Sequence, residues 1–126
     1  MDVSIIIINY NTKDITSDCI KSVLKYTKSI SYEIILVDNA STDGSREFFS
    51  QYQGVKYVYN DTNYGFGVAN NIGSKYASGE YLFFLNSDTI LHEDSVGVLR
   101  NYLINDSKVA AVGPLLATAF LIPLLL

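Results

Sequence analysis

At 126 residues and 14.0 kDa the chain has the length of one domain, since a domain takes about 100–200 residues. Its 48% hydrophobic and 17% charged content suits a packed core and excludes a disordered polymer. With 9 basic and 13 acidic residues, a net charge of -4 leaves no electrostatic footprint for nucleic acid, so none is expected as a partner.

Val3 to Ile8 (VSIIII) is a continuous β-branched apolar run, the pattern of a strand covered on both faces. Ile15, Cys19, Ile20, Val23 and Leu24 recur at helical spacing behind Thr12, a residue able to cap a helix. Glu33 to Val37 (EIILV) reads as a second buried strand. Ser41 to Gln51 opens on capping residues and carries Phe48, Phe49 and Tyr52 on one side, so a helix is expected there. Val55 to Tyr59 alternates as a third strand. Gly67 to Tyr76 is helical, with Val68, Ala69, Ile72 and Tyr76 as its inner face. Tyr81 to Leu85 (YLFFL) is a fourth buried strand, Ser95 to Ile104 a further helix, and Val109 to Val112 a last buried strand.

Every charged residue precedes Val109, and the remainder reads VAAVGPLLATAFLIPLLL. Eighteen uncharged residues reach the lower limit of about 17–25 for a membrane span, yet Gly113, Pro114 and Pro123 oppose one continuous helix. Residues 115–126 are therefore expected as an apolar tail, either buried against a partner or membrane or left by truncation or frameshift, with truncation preferred. The single Cys19 can form no internal disulfide, and it cannot build a zinc site with one histidine. The lone thiol and the lack of a basic leader point to a reducing, cytoplasmic setting.

Strands alternating with helices at this spacing make βαβ units, hence an α/β fold with a mostly parallel sheet and flanking helices. Such sheets bind ligands outside the carboxyl ends of their strands. Four polar segments stand at those positions: Asn9-Tyr10-Asn11, Asp38-Asn39, Asn60 to Gly67, and Asn86-Ser87-Asp88. An Asp38 carboxylate can accept from a base N–H or a ribose hydroxyl; alternatively it orders the turn into the next helix. Tyr10 and Asn11 could flank a base, or the ring could be half-buried packing.

Gly65-Phe66-Gly67, with Asn63 and Asn70-Asn71, offers backbone N–H groups at a helix start that could approach a phosphate. The same residues also suit a tight turn, with Gly65 at positive φ and Gly73 allowing close helix packing. Asn70 stands where a dinucleotide fingerprint needs its third glycine, and no P-loop motif exists, which disfavours an oxidoreductase and removes P-loop phosphotransfer. In an extended chain Asn86 and Asp88 share one side, and one carboxylate with substrate phosphates suffices for Mg²⁺ or Mn²⁺. The competing reading is an Asx-type turn at Asp88-Thr89. A calcium loop from Asn39 fails because its twelfth position is Ser50.

Together, VSIIIINYN at 3–11, EIILVDNASTDGS at 33–45 and NDTNYGFGVANNIGSKYASGEYLFFLNSD at 60–88 resemble the amino-terminal half of the family 2 glycosyltransferases with the Rossmann-like GT-A fold. These segments span about two thirds of the chain, and their NYN, VDNAS and NSD variants are most similar to the rhamnosyltransferase-type branch of bacterial surface polysaccharide synthesis. The resemblance implies an inverting enzyme that takes a nucleotide-diphosphate sugar and passes the sugar to a saccharide or lipid-linked acceptor. It faces the cytoplasm, with peripheral association at the inner face of the membrane as a further option.

Under the resemblance, residues 1–114 form the donor region, in which Tyr10, Asn11, Asp38 and Asn39 hold the nucleotide. Asn63, Gly65, Asn70 and Asn71 approach the diphosphate. Asn86 and Asp88 occupy the D-x-D position, where Asp88 takes Mg²⁺ or Mn²⁺ and Asn86 the ribose or metal shell. Asn86 in place of the first aspartate, and Asn70 where many relatives carry arginine, both depart from the family pattern. The acceptor site and general base are expected in a further half of the family domain. That implies an incomplete enzyme, or a nucleotide-sugar-binding or membrane-attached fragment without turnover. A nucleotidyltransferase is disfavoured because Asn9 to Thr12 is neither basic nor glycine-rich.

Overall fold

The computed structural model describes residues 1–114 of the chain. The elements run β1 (Val3–Asn9), α1 (Lys13–Tyr26), β2 (Tyr32–Asn39), α2 (Ser45–Phe49), β3 (Val55–Asn60), α3 (Phe66–Ser74), β4 (Tyr81–Asn86) and α4 (Ser95–Asn105). All strand pairs are parallel, in the order β3-β2-β1-β4. The first two crossovers step outward from β1, and the third returns past it to place β4 on the other side. The carboxyl ends of β1 and β4 therefore flank a topological switch point, the place where parallel α/β sheets open a crevice. The expectation of an α/β fold with a mostly parallel sheet and flanking helices is met.

The isoleucines of β1 have no exposed face because helices lie on both sides of the sheet. Ile5, Ile7, Ile34, Leu36 and Leu85 pack with Cys19, Ile20 and Val23 of α1, Phe49 of α2 and Val96 of α4. Ile6, Ile8, Ile35 and Val37 meet Ala69 of α3 on the opposite face. The second cluster is smaller because α3 contributes few large side chains. Gly73 allows the approach: a Cβ there would stand 2.7 Å from Ile6 Cγ2 and 3.1 Å from Val37 Cγ2.

Several local expectations need correction. The inward side of α3 is Ala69, Asn70 and Gly73, whereas Val68 and Tyr76 are exposed, because the close helix–sheet contact admits only small groups. Ile15 of α1 is also exposed. α2 covers only Ser45–Phe49 rather than Ser41 to Gln51, since Ser41 to Gly44 form the loop that binds β1. Among the described residues strand β4 is not covered on both faces: Leu82 and Phe84 are 44% and 51% exposed, and α3 packs over β1 and β2 instead. Val109 to Val112 forms no strand; a turn at Asp106 precedes it, and the described sheet ends at β4. The apolar tail expected at 115–126 lies outside the described residues.

Candidate functional site at the carboxyl edge of the sheet

The polar strand ends line up in register. Asn9 pairs with Asp38, Asn39 with Asn60, and Ile8 stands between Val37 and Asn86. At about 4.8 Å between strands, the β2 and β4 ends lie about 10 Å apart across β1. The four polar segments thus share one edge, each delivered there by an apolar strand whose burial sets its length.

Asn9 is buried and organises the first loop. Its Oδ1 accepts from Thr12 Oγ1 at 3.1 Å and Thr16 Oγ1 at 2.8 Å, while its Nδ2 donates to Ser41 Oγ at 3.1 Å. Thr12 accordingly makes no side-chain cap for α1. The Lys13 N–H that opens that helix donates instead to Asp43 Oδ2 at 2.9 Å, so a residue of the β2–α2 loop closes α1 from outside. Burial pushes the Asp43 carboxyl up, but hydrogen bonds from Ser45 and Lys13 outweigh it and hold the group below its ordinary value.

Tyr10 is exposed at the rim. Asn11 sits at φ 52°, its N–H donating to Ser41 Oγ at 2.9 Å and its Oδ1 accepting from Thr42 N–H at 2.7 Å. The Asn11 amide oxygen, expected at the nucleotide, is therefore spent on joining two loops. Ala40 on the facing loop also has positive φ, 64°, a conformation costly for a residue with a Cβ.

Asp38 is fully buried. Its Oδ1 accepts from Ser41 N–H at 3.0 Å and its Oδ2 from the Tyr57 hydroxyl at 2.7 Å. Burial and the neighbouring Asp38 both push the Tyr57 phenol up, so it stays a donor. Asn39 is buried as well; its Oδ1 accepts from Asn60 Nδ2 at 2.9 Å, and its Nδ2 donates to Gly65 O at 3.4 Å. The turn-ordering role that the sequence left open for Asp38 is thus present, alongside its place at the ligand edge.

In the third loop Asn63 Oδ1 accepts from Gly65 N–H at 2.9 Å, and Gly65 takes φ 80°. No side chain caps α3, so its opening amides face outward without that competitor. Asn70 points inward, nearly buried, and donates to Phe66 O at 3.1 Å; Asn71 is exposed. At the fourth loop Asn86 and Asp88 are both exposed, but the chain does not stay extended. Thr89 N–H donates to Asn86 O at 3.1 Å, closing a turn, so strand alternation does not set where Asp88 points.

Cys19 Sγ lies 3.7 Å from Asn86 O, and burial pushes this thiol up to about 12, making it an inert core group. Among the described residues, no cluster of three acidic, histidine or cysteine side chains gathers around a metal position. Two surface concavities lie elsewhere, one along α2 from Gly44 to Gln53 and one between Tyr81 and Arg100.

Reading the sequence alone placed Asn9 and Asn60 in the polar segments at the strand ends without giving either a role, and it did not single out Ser41 or Tyr57 as site residues. The available signal was positional: β1, β2 and β3 each end on an asparagine or an Asp-Asn pair. Fold and edge together define a parallel α/β protein with a polar rim at a switch point.

Residues 4–118 match the family model described as Glycosyl transferase family 2, and the chain belongs to that family. It is 37% identical over 109 residues to TuaG, a Bacillus subtilis glycosyltransferase named for teichuronic acid biosynthesis, covering 83% of this chain and 43% of TuaG. It is 37% identical over 105 residues to the poly(ribitol-phosphate) beta-N-acetylglucosaminyltransferase TarP of Staphylococcus aureus, covering 79% of this chain and 32% of TarP. The chain thus spans about a third to less than half of these relatives. Its fold is similar to that of S. aureus TarS, solved in complex with UDP-GlcNAc, at a TM-score of 0.73 and 24% identity, covering 83% of this chain and 32% of that one.

Proposed function

We propose that this chain is the donor-binding region of an inverting glycosyltransferase of cell-surface polysaccharide synthesis, taking its sugar from a nucleotide diphosphate. The observation that carries the reading is the meeting of four polar strand ends at one switch-point edge, those of β1, β2 and β3 tied together through Ser41, Asn11 and Asn39. The relatives' names and the UDP-GlcNAc complex of TarS support a nucleotide-sugar donor; a saccharide or lipid-linked acceptor belongs to the same proposal. The finer rhamnosyltransferase-like branch rests on the NYN, VDNAS and NSD variants.

In this reading Tyr10 and the Asn11 backbone border the base, with Asp38 beneath them. Burial of Asp38 means that direct contact with a base requires its cover to shift. The uncapped start of α3, with Gly65 and exposed Asn71, faces the diphosphate. Asp88 and Asn86 would hold Mg²⁺ or Mn²⁺ together with donor phosphates; a hard oxygen donor set of one carboxylate and one amide suits that arrangement. Such a cation supplies Lewis-acid neutralisation of the departing diphosphate. An inverting displacement also needs a base within reach of the acceptor hydroxyl, which we assign to the part of the family domain beyond the described residues. A cytoplasmic setting with peripheral membrane association belongs to the same proposal; no described helix is long and apolar enough to cross a membrane.

Calorimetric titration of the 126-residue chain with uridine, thymidine, guanosine and cytidine diphosphates, with and without Mn²⁺, tests the reading. Saturable binding of one nucleotide, tighter with Mn²⁺, is the expected result. No binding of any of them overturns it. Donor hydrolysis and transfer assays then separate a working enzyme from a fragment that binds without turnover.

A further inference from the structure

Ser41 is the one residue bonded to both the β1–α1 loop and Asp38. Its hydroxyl oxygen accepts from Asn9 Nδ2 at 3.1 Å and from the Asn11 N–H at 2.9 Å, so both lone pairs are used. Its own N–H donates to Asp38 Oδ1 at 3.0 Å. Ser41 thus joins the end of β1, the rim carrying Tyr10, and the carboxylate at the end of β2. Two residues beside these bonds, Asn11 and Ala40, hold positive φ, and such conformations persist only where the surroundings over-determine them. Nothing else described bonds all three parts.

We infer that Ser41 is a positioning residue for the nucleoside end of the donor, setting the Tyr10–Asn11 loop against Asp38 without touching the ligand. The inference rests on the donor-binding reading above. It goes beyond that reading by assigning the geometry of base recognition to a serine hydroxyl shared between two loops. Without the hydroxyl, Asn9 Nδ2 and the Asn11 N–H lose their acceptor, and the Asn11 side-chain bond from Thr42 N–H is left to join the two strained loops. The phosphate end, built on α3 and the β4 turn, makes no hydrogen bond to Ser41 and keeps its form.

The test uses the whole chain and two probes: the tightest-binding nucleoside diphosphate, and inorganic pyrophosphate with Mn²⁺. Ser41→Ala is expected to weaken the nucleotide about tenfold, the effect of one or two lost hydrogen bonds, while pyrophosphate affinity stays within about twofold. Ser41→Thr, which keeps the hydroxyl, is expected to restore most nucleotide affinity. Ser4→Ala is the control for general destabilisation: Ser4 is a buried serine at the opposite end of β1 that accepts from Gly79 N–H and donates to Glu33 Oε1. Equal loss for both probes, a loss matched by Ser4→Ala, or no loss in Ser41→Ala overturns the inference. Failure of the unaltered chain to bind any nucleotide is a different result, and it overturns the donor-binding reading itself.

Discussion

Tyr57 donates its hydroxyl to Asp38 Oδ2 at 2.7 Å across the β2–β3 pair, under a sheet edge where Asp38 has no exposed surface. The pair makes Asp38 part of the fold as well as of the candidate site. Asp38→Ala leaves the Tyr57 hydroxyl and the Ser41 N–H without their acceptor and is expected to cost about 2–6 kcal/mol in urea unfolding, about 1–3 for each orphaned donor. It is also expected to weaken nucleotide binding with or without Mn²⁺. Tyr57→Phe removes one bond to a charged group, and a loss of about 1.5–3 kcal/mol is expected in the same measurement.

Asp88 behaves differently in this account. It is exposed in the turn after β4, with no fold-supporting hydrogen bond among the described residues. Asp88→Ala is expected to change the unfolding midpoint little and to abolish most of the gain that Mn²⁺ gives to nucleotide affinity. Titrations at several Mn²⁺ concentrations check this. Equal Mn²⁺ dependence in the variant and the native chain would contradict the assignment.

Asp43 links stability to acid pH. Asp43 is exposed, and its folded carboxyl lies below the ordinary value despite partial desolvation, because Ser45 and Lys13 donate to its charged form. A lowered value stabilises the fold above the unfolded carboxylate range near pH 4, and that stability is lost as pH falls through the folded value. Asp43→Asn keeps a capping oxygen for Lys13 but no charge. The native chain is expected to exceed this variant in urea midpoint at pH 7 and to converge with it toward pH 3.

Gly73 tests the tight face of the sheet. Gly73→Ala would force a methyl to within 2.7 Å of Ile6 Cγ2, and overpacking of this kind costs about 1–3 kcal/mol. Thermal unfolding checks the size of the loss. An unchanged midpoint would mean that α3 can lift off the sheet, and the packing of Ala69 on Ile6 and Val37 would need revision.

The four strands and the side on which their polar ends emerge were legible in the sequence, because apolar runs such as VSIIII and EIILV can satisfy their burial in few ways. The α/β fold with a parallel sheet followed from the alternation of strands and helices, whereas its GT-A type came only from the resemblance of the quoted segments to a known family. Two helix inner faces were misjudged at single residues. Spacing identifies a helix, but the distance to its neighbour decides which side chains fit beneath it, as Gly73 and exposed Val68 show.

By itself, then, the sequence determined the architecture and the edge at which the polar strand ends gather, since hydrophobic burial acts on local patterns. Only the tertiary structure decided that Asn11 is bonded to Ser41 and Thr42, that Asp38 is bonded to Tyr57, and that a β2 loop closes α1. Hydrogen bonds join groups about 20–30 positions apart in the chain, and no local pattern encodes which polar side chain a fold will bring within 3 Å of another.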